Sequence, residues 1–293
     1  MKVAVTGASG LVGSALVPVL RDAGHEVLTL TRREPDGDSQ VAWDPAGGTI
    51  DTARLEGVEA IVHLAGENIG RRWSGEARKR IVSSRVEGTG LIARTAAALE
   101  SRPALVQASA VGYYGFDNPT ATDASPKGGG FAADVVAGWE RAAEPAREAG
   151  LRWVALRKAP ILAREGGVVA KMMLPFKLGV GGRVGSGRQS WSWLALADAA
   201  QAYRHALESD LAGPVNVVGG TATNEEFVKA FGRALHRPTI VPLPAFAVKT
   251  MFGQMGEEYL LGGQRVSSEK LEASGFAFEY TQLDAALEAA LAR

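Results

Sequence analysis

The chain has no cysteine among its 293 residues, which excludes disulfides, thiolate nucleophiles and Cys-ligated metals together. Its four histidines, His25, His63, His205 and His236, are scattered and lack clustered carboxylates, so no metal site is expected. Neither charge is in excess, with 32 Lys plus Arg against 32 Asp plus Glu. No global field therefore draws the protein to nucleic acid or to an anionic membrane. No apolar run approaches the roughly 18 residues of a membrane span. No charged segment precedes a signal-like apolar stretch either, and the N-terminus already reads as a strand, so a cytoplasmic protein is expected. A Gly-x-Ser-x-Gly elbow at a strand-to-helix turn is missing as well, which leaves hydrolase chemistry without a nucleophile.

Glycine, by contrast, is plentiful at 36 residues. In Lys2-Val3-Ala4-Val5-Thr6-Gly7-Ala8-Ser9-Gly10-Leu11-Val12-Gly13 a short apolar strand runs into a glycine-rich turn and then into a helical apolar pattern. A second strand, 26–31, follows one helix later and completes a βαβ unit. Gly7 permits the tight exit from the strand, Gly10 lets backbone approach a pyrophosphate, and Gly13 lets helix and sheet pack closely. The N–H groups of Ser9, Leu11 and Val12 and the helix dipole then face the phosphates. Strands are predicted at 2–6, 26–31, 59–64, 103–108, 151–157 and 214–218. Long helices are predicted at about 75–99 and 131–148, with others at 197–208, at 224–235 and after Pro244. Continuous apolar strands alternating with helices define an α/β fold: a Rossmann doubly wound parallel sheet, with a small irregular α+β C-terminal lobe over the carboxyl ends of its strands. The expected division is a dinucleotide-binding domain at 1–157, joined again by about 197–218, and a mainly C-terminal substrate lobe at 158–293.

An Asp or Glu closing the second strand selects NAD through the ribose 2′-hydroxyl. Here that position reads Thr31-Arg32-Arg33. A guanidinium there suits a 2′-phosphate, so NADP(H) is the expected cofactor, with Thr31, Arg32 and Arg33 binding it. Glu34 stands next to the pair and is able to neutralise it.

The Gly-x-x-Gly-x-x-Gly spacing resembles the extended short-chain dehydrogenase/reductases. Val41-Ala42-Trp43-Asp44-Pro45, His63-Leu64-Ala65-Gly66-Glu67-Asn68, Ser84 to Thr89, Ser109 to Gly115, Gly185-Ser186-Gly187-Arg188-Gln189 and Leu260 to Val266 follow in order. Together they resemble the family's atypical, sugar-nucleotide-epimerase-like branch over nearly the whole chain. The resemblance implies that Leu64, Ala65 and Gly66 line the adenosine and pyrophosphate by backbone. It also implies that Pro160 and Ile161, after Ala159, meet the nicotinamide carboxamide. Arg85 stands where ordinary members carry an Asn and is either a cofactor contact or a helix-surface arginine. The Gly185–Gln189 loop either grips an anionic substrate group or is a turn of the lobe.

Two departures matter. The family's Trp-x-x-His-x-x-Asp stretch has Ala195 and Ala197 at its His and Asp. The superfamily's Tyr-x-x-x-Lys pair is missing too, because no tyrosine has a lysine four residues on, and its expected positions are Ala132 and Val136. By resemblance Ser109 lies at the place of the catalytic Ser or Thr, and Tyr113 or Tyr114 follows on the same loop. Ser109 with Tyr113 is therefore the expected proton-transfer pair. Two readings follow: an NADP(H)-dependent oxidoreductase or epimerase-like enzyme on a small molecule, or a catalytically inactive NADP(H)-binding sensor. The arginines on helix 75–99, with Gly138 and Pro145 on helix 131–148, argue for a monomer or a weak homodimer.

Overall fold

The computed structural model describes residues 1–117 and 120–292. The elements, in chain order, are β1 (Lys2–Thr6), α1 (Leu11–Asp22), β2 (Glu26–Thr31), β3 (Gln40–Asp44), β4 (Thr49–Ile50), β5 (Ala60–His63), α2 (Gly75–Ala98), β6 (Ala104–Ala110), α3 (Phe131–Arg141) and α4 (Glu144–Glu148). They continue with β7 (Trp153–Lys158), β8 (Ile161–Ala163), α5 (Gly167–Lys177), β9 (Ser190–Ala195), α6 (Leu196–Glu208), β10 (Gly213–Val217), β11 (Gly220–Thr223), α7 (Asn224–Leu235), α8 (Ala245–Phe252), α9 (Gln254–Gly256), a π-helical turn at Glu257–Leu261, α10 (Glu269–Ala273) and α11 (Leu283–Ala292).

Eight strands form the main sheet in the order β10-β7-β6-β5-β1-β2-β3-β4. All its pairings are parallel except that of β4 with β3. Its central strands are uniformly apolar because helices cover both faces: Val3, Ala4, Val5, Ile61 and Val62 are fully buried. On one face α1 presents Gly13, Leu16, Val17 and Leu20, a helical stripe, to the sheet and to α6. On the other, α2 buries Ala77, Ile81, Ile92, Ala93 and Ala96. Val86, although apolar and five residues beyond Ile81, faces outward. A second sheet, β11-β9-β8, belongs to the lobe and packs against α7 and α11 around Trp193, Phe227 and Phe231.

Two expectations need correction. The helix foreseen over 131–148 is two helices, broken at Ala142–Ala143. Pro145 lies in the first turn of α4, where its missing N–H costs nothing. The stretches at 40–44, 161–163, 190–195 and 220–223 are strands beyond the six expected.

Candidate functional site

Strand order reverses at β1, which lies between β5 and β2, so a crevice opens beyond the carboxyl ends of β1 and β5. The glycine-rich turn lines it. Gly7 has φ +67°, and a Cβ there would lie 3.0 Å from the Ala65 nitrogen and 3.1 Å from the Leu64 carbonyl carbon. A Cβ on Gly13 would lie 2.2 Å from the Gly7 oxygen and 2.6 Å from Ala8 Cα. Side chains at either position would fill the cradle or lift α1 off the turn. Ser9 and Gly10 are exposed, and Gly10 at the head of α1 brings no side-chain cap, so the helix's first N–H groups open into the crevice. A turn of this shape fits a pyrophosphate.

The crevice wall is held from behind. The Thr6 hydroxyl accepts from the N–H groups of Leu64 (3.1 Å) and Ala65 (3.3 Å) and donates to His63 Nδ1 at 2.8 Å. Burial pulls the His63 pKa down to about 4, so the imidazole is neutral. Gly66 stands exposed at the mouth. Beyond β2, Arg32 and Arg33 are exposed, and no ion pair engages either among the described residues; Glu34 does not neutralise them. The Arg33 N–H donates to Thr31 Oγ1 at 3.1 Å. After β7, Pro160 is exposed while Ile161 is buried.

At the other end of the crevice the register sets Ser109, Arg157 and Asn216 in one row across β6, β7 and β10. They belong to a buried polar network. Ser109 Oγ donates to Glu140 Oε1 at 2.6 Å, and Arg157 forms two 2.7 Å bonds to the same carboxylate. Arg157 Nη1 reaches the Tyr114 hydroxyl at 2.9 Å, and Tyr114 donates to Asn216 Oδ1 at 2.7 Å. The Ser109 hydroxyl, expected to face a substrate, is thus engaged within the fold. Tyr113 is half-buried, its ring 3.5 Å beneath the Arg157 guanidinium, and its hydroxyl has no partner among the described residues.

Arg85 is not a helix-surface arginine. It is 8% exposed, lies over the Trp139 ring at 4.8 Å and donates from Nη1 to the Glu67 (3.0 Å) and Ile81 (3.2 Å) carbonyls. Its Cζ would be 3.5 Å from a Cβ on Gly66, which puts the guanidinium at the crevice mouth. Lys158, which the sequence reading did not single out, closes β7 and donates to the Ser109 carbonyl at 3.0 Å. Desolvation first, and then Arg85, lower its pKa to about 8. No carboxylate pairs with Arg85 or Lys158 among the described residues, so the crevice carries two uncompensated cations.

Ala132 and Val136 are both buried on α3, and neither side chain carries a group that can transfer a proton. A residue from far down the chain reaches this spot. A Cβ on Gly112 would lie 3.3 Å from the Tyr259 hydroxyl, 3.6 Å from Ala132 Cβ and 3.9 Å from Val136 Cγ2. Burial holds the Tyr259 pKa up at about 12, against the pull of Arg85. The sequence offered no signal for this, because Tyr259 lies 127 positions beyond Ala132. Gln189, of the Gly185–Gln189 loop, donates to the Val184 (3.0 Å) and Leu260 (2.8 Å) carbonyls and so fixes the turn that carries Tyr259; Arg188 beside it is exposed. At the lost His and Asp positions, Ala195 ends β9, and the neighbouring Asp198 accepts from the Glu279 and Tyr280 N–H groups as a structural clip.

A doubly wound sheet with a glycine cradle at its switch point defines a dinucleotide-binding α/β protein of the extended short-chain dehydrogenase/reductase type. Residues 3–219 match the NAD dependent epimerase/dehydratase family, and residues 243–290 match a domain of unknown function, DUF1731. The chain belongs to that epimerase/dehydratase family. It is 41% identical over 295 residues to the epimerase family protein Mb2239 of Mycobacterium bovis, covering 99% of this chain and 98% of the relative. It is 37% identical over 296 residues to the epimerase family protein SDR39U1 of Homo sapiens, covering 98% and 99%. The crystal structure of human SDR39U1 (isoform2) with NADPH superposes with a TM-score of 0.89 at 35% identity, covering 100% of both chains.

Proposed function

We propose that this protein is an NADP(H)-dependent oxidoreductase or epimerase-like enzyme acting on a small molecule with an anionic or carbonyl oxygen. The observation that carries the cofactor choice is the exposed, unpaired Arg32 and Arg33 at the end of β2, where an acidic residue would repel a 2′-phosphate. The NADPH in the human SDR39U1 structure supports the same choice. When bound, the cofactor's nicotinamide supplies the redox chemistry. The chain's own residues do the rest. Gly7, Ser9, Gly10, Leu11, Val12 and Gly13 cradle the pyrophosphate, and Leu64, Ala65 and Gly66 line the adenosine side. Pro160 and Ile161 hold the carboxamide by backbone, and Arg85 closes the mouth. Lys158 and Arg85, lacking carboxylate partners, favour a negative or developing negative charge on the ligand. Ser109, its hydroxyl engaged by Glu140, acts by placing its carbonyl against Lys158. Tyr113 keeps a free hydroxyl beside it.

The test is a fluorescence titration of NADPH and NADH against wild type and Arg32→Ala. NADPH is expected to bind wild type at least about tenfold tighter than NADH, and Arg32→Ala to remove most of that preference without weakening NADH. Equal wild-type affinities overturn the selectivity. The buried Ala132 and Val136 favour a second reading, a cofactor-binding sensor. It is sustained if NADPH binds tightly and no carbonyl compound is reduced.

A further inference from the structure

We infer that the Tyr259 phenol is the proton donor to the substrate oxygen, delivered by the C-terminal segment to a place beside Gly112, Ala132 and Val136. The inference rests on the oxidoreductase reading and deepens it. The phenol oxygen, Ala132 Cβ and Val136 Cγ2 converge within 3.3 to 3.9 Å of one point, the place of a Cβ on Gly112 just past the carboxyl end of β6. Tyr259 thus brings a phenol oxygen from a distant segment to the side of the Ala132 methyl.

The ring is held on several sides. Trp73 meets it edge-on with centroids 6.0 Å apart, and Phe116 lies 4.5 Å away. The preceding residue, Glu258, accepts from the N–H groups of Phe131 and Ala132, each at 3.0 Å, and so ties the turn to the head of α3. Behind it, Gln189 holds the Leu260 carbonyl and the Gly263 N–H donates to the Phe116 carbonyl at 2.9 Å. Tyr259 sits in a π-helical turn, a geometry found disproportionately at functional sites. Its hydroxyl has no hydrogen-bond partner among the described residues, although the ring is largely enclosed. A positioned donor with nothing to donate to is poised for a ligand.

The step balances as a carbonyl reduction. Two electrons and one hydrogen pass from the reduced nicotinamide to the carbonyl carbon, the Tyr259 proton passes to the carbonyl oxygen, and the phenolate regains a proton from solvent. Arg85 is the cation that steadies the phenolate in between. A phenol that stays protonated well above neutrality makes a serviceable acid and a poor base, so reduction is the favoured direction.

The experiment combines a spectrum with an assay. In protein labelled with [13Cζ]tyrosine, the resonance missing from Tyr259→Phe is expected to move when NADP+ saturates the site, because a charged ring then lies nearby. With NADPH and 9,10-phenanthrenequinone, Tyr259→Phe is expected to lower kcat by about a hundredfold or more while NADPH affinity stays within about twofold. If Tyr259→Phe does not fold, Gly112→Ala, which puts a methyl against the phenol oxygen, is expected to lower kcat in the same way. A Tyr259 resonance indifferent to bound NADP+, or a Tyr259→Phe kcat within about threefold of wild type, overturns the donor assignment and leaves the oxidoreductase reading standing. A wild type that binds NADPH and reduces neither this quinone nor a panel of aldehydes and ketones overturns both.

Discussion

Thr6 accepts from two backbone N–H groups and so gives its own proton to His63, which makes Nδ1 an acceptor and leaves the hydrogen of the neutral ring on Nε2. That nitrogen has no partner among the described residues; it points toward Trp43, edge-on at 6.1 Å, and Gly88. Protonation would strip Thr6 of its acceptor and put a charge where nothing balances it. Because the folded pKa, about 4, lies below the unfolded value of 6.5, the unfolded chain binds this proton first. Stability is therefore full above pH 6.5 and falls as the pH drops toward 4, by about 3 kcal/mol in all. Urea denaturation from pH 7 to pH 5 is expected to show about 2 kcal/mol of that loss in wild type and a much shallower slope in His63→Asn. A slope unchanged by the substitution would refute the assignment. None of this was legible in the sequence, where His63 was one of four scattered histidines. The Thr6 bond depends on the register of β1 with β5, which pairs Thr6 with His63.

Among the elements, α3 has as its own N-cap Gly130, at φ +96°, which brings no side chain to the first turn. Glu258 takes over, placing a carboxylate on two N–H groups at the positive end of the helix dipole. Glu258→Gln is expected to keep the shape and lower unfolding free energy by about 1 kcal/mol, with the denaturant slope unchanged. No change in midpoint would show that the clamp contributes nothing. The same element marks where sequence reading stops. Strands β1, β2, β5, β6, β7 and β10 were legible because sheet interiors demand continuous apolar runs. Strand β3 was not, because its buried Val41 and Trp43 alternate with the less buried Gln40, Ala42 and Asp44 over only five residues. The glycine cradle was legible because backbone approach requires Gly7 and Gly13 themselves. The donor end was not, because Tyr259, Lys158 and Arg85 come from three separate segments that only the fold brings together.

For the whole molecule, the outer faces of the two long helices bear on assembly. Of the large apolar side chains, only Val82 and Val86 are exposed on α2, at 38% and 36%, and none is on α3; Arg85 is turned inward. Two valines are too little for a stable helical interface, which buries on the order of 800 Å² per partner. We therefore propose a monomer or a weak homodimer. Light scattering at micromolar concentration is expected to give the mass of one chain, and a tight dimer would refute it. No helix among the described residues is long and apolar enough to cross a membrane.

The tie from Glu258 to α3 also has a consequence in time. A ribosome makes the glycine cradle and α3 long before it makes residue 258, so during synthesis the pyrophosphate site precedes the cap of α3 and the Tyr259 hydroxyl. The contact spans 127 positions, and closing so long a loop is slow beside the local pairing of β1 with β2. A nascent chain thus passes through an interval in which its glycine cradle has been made and its donor end has not.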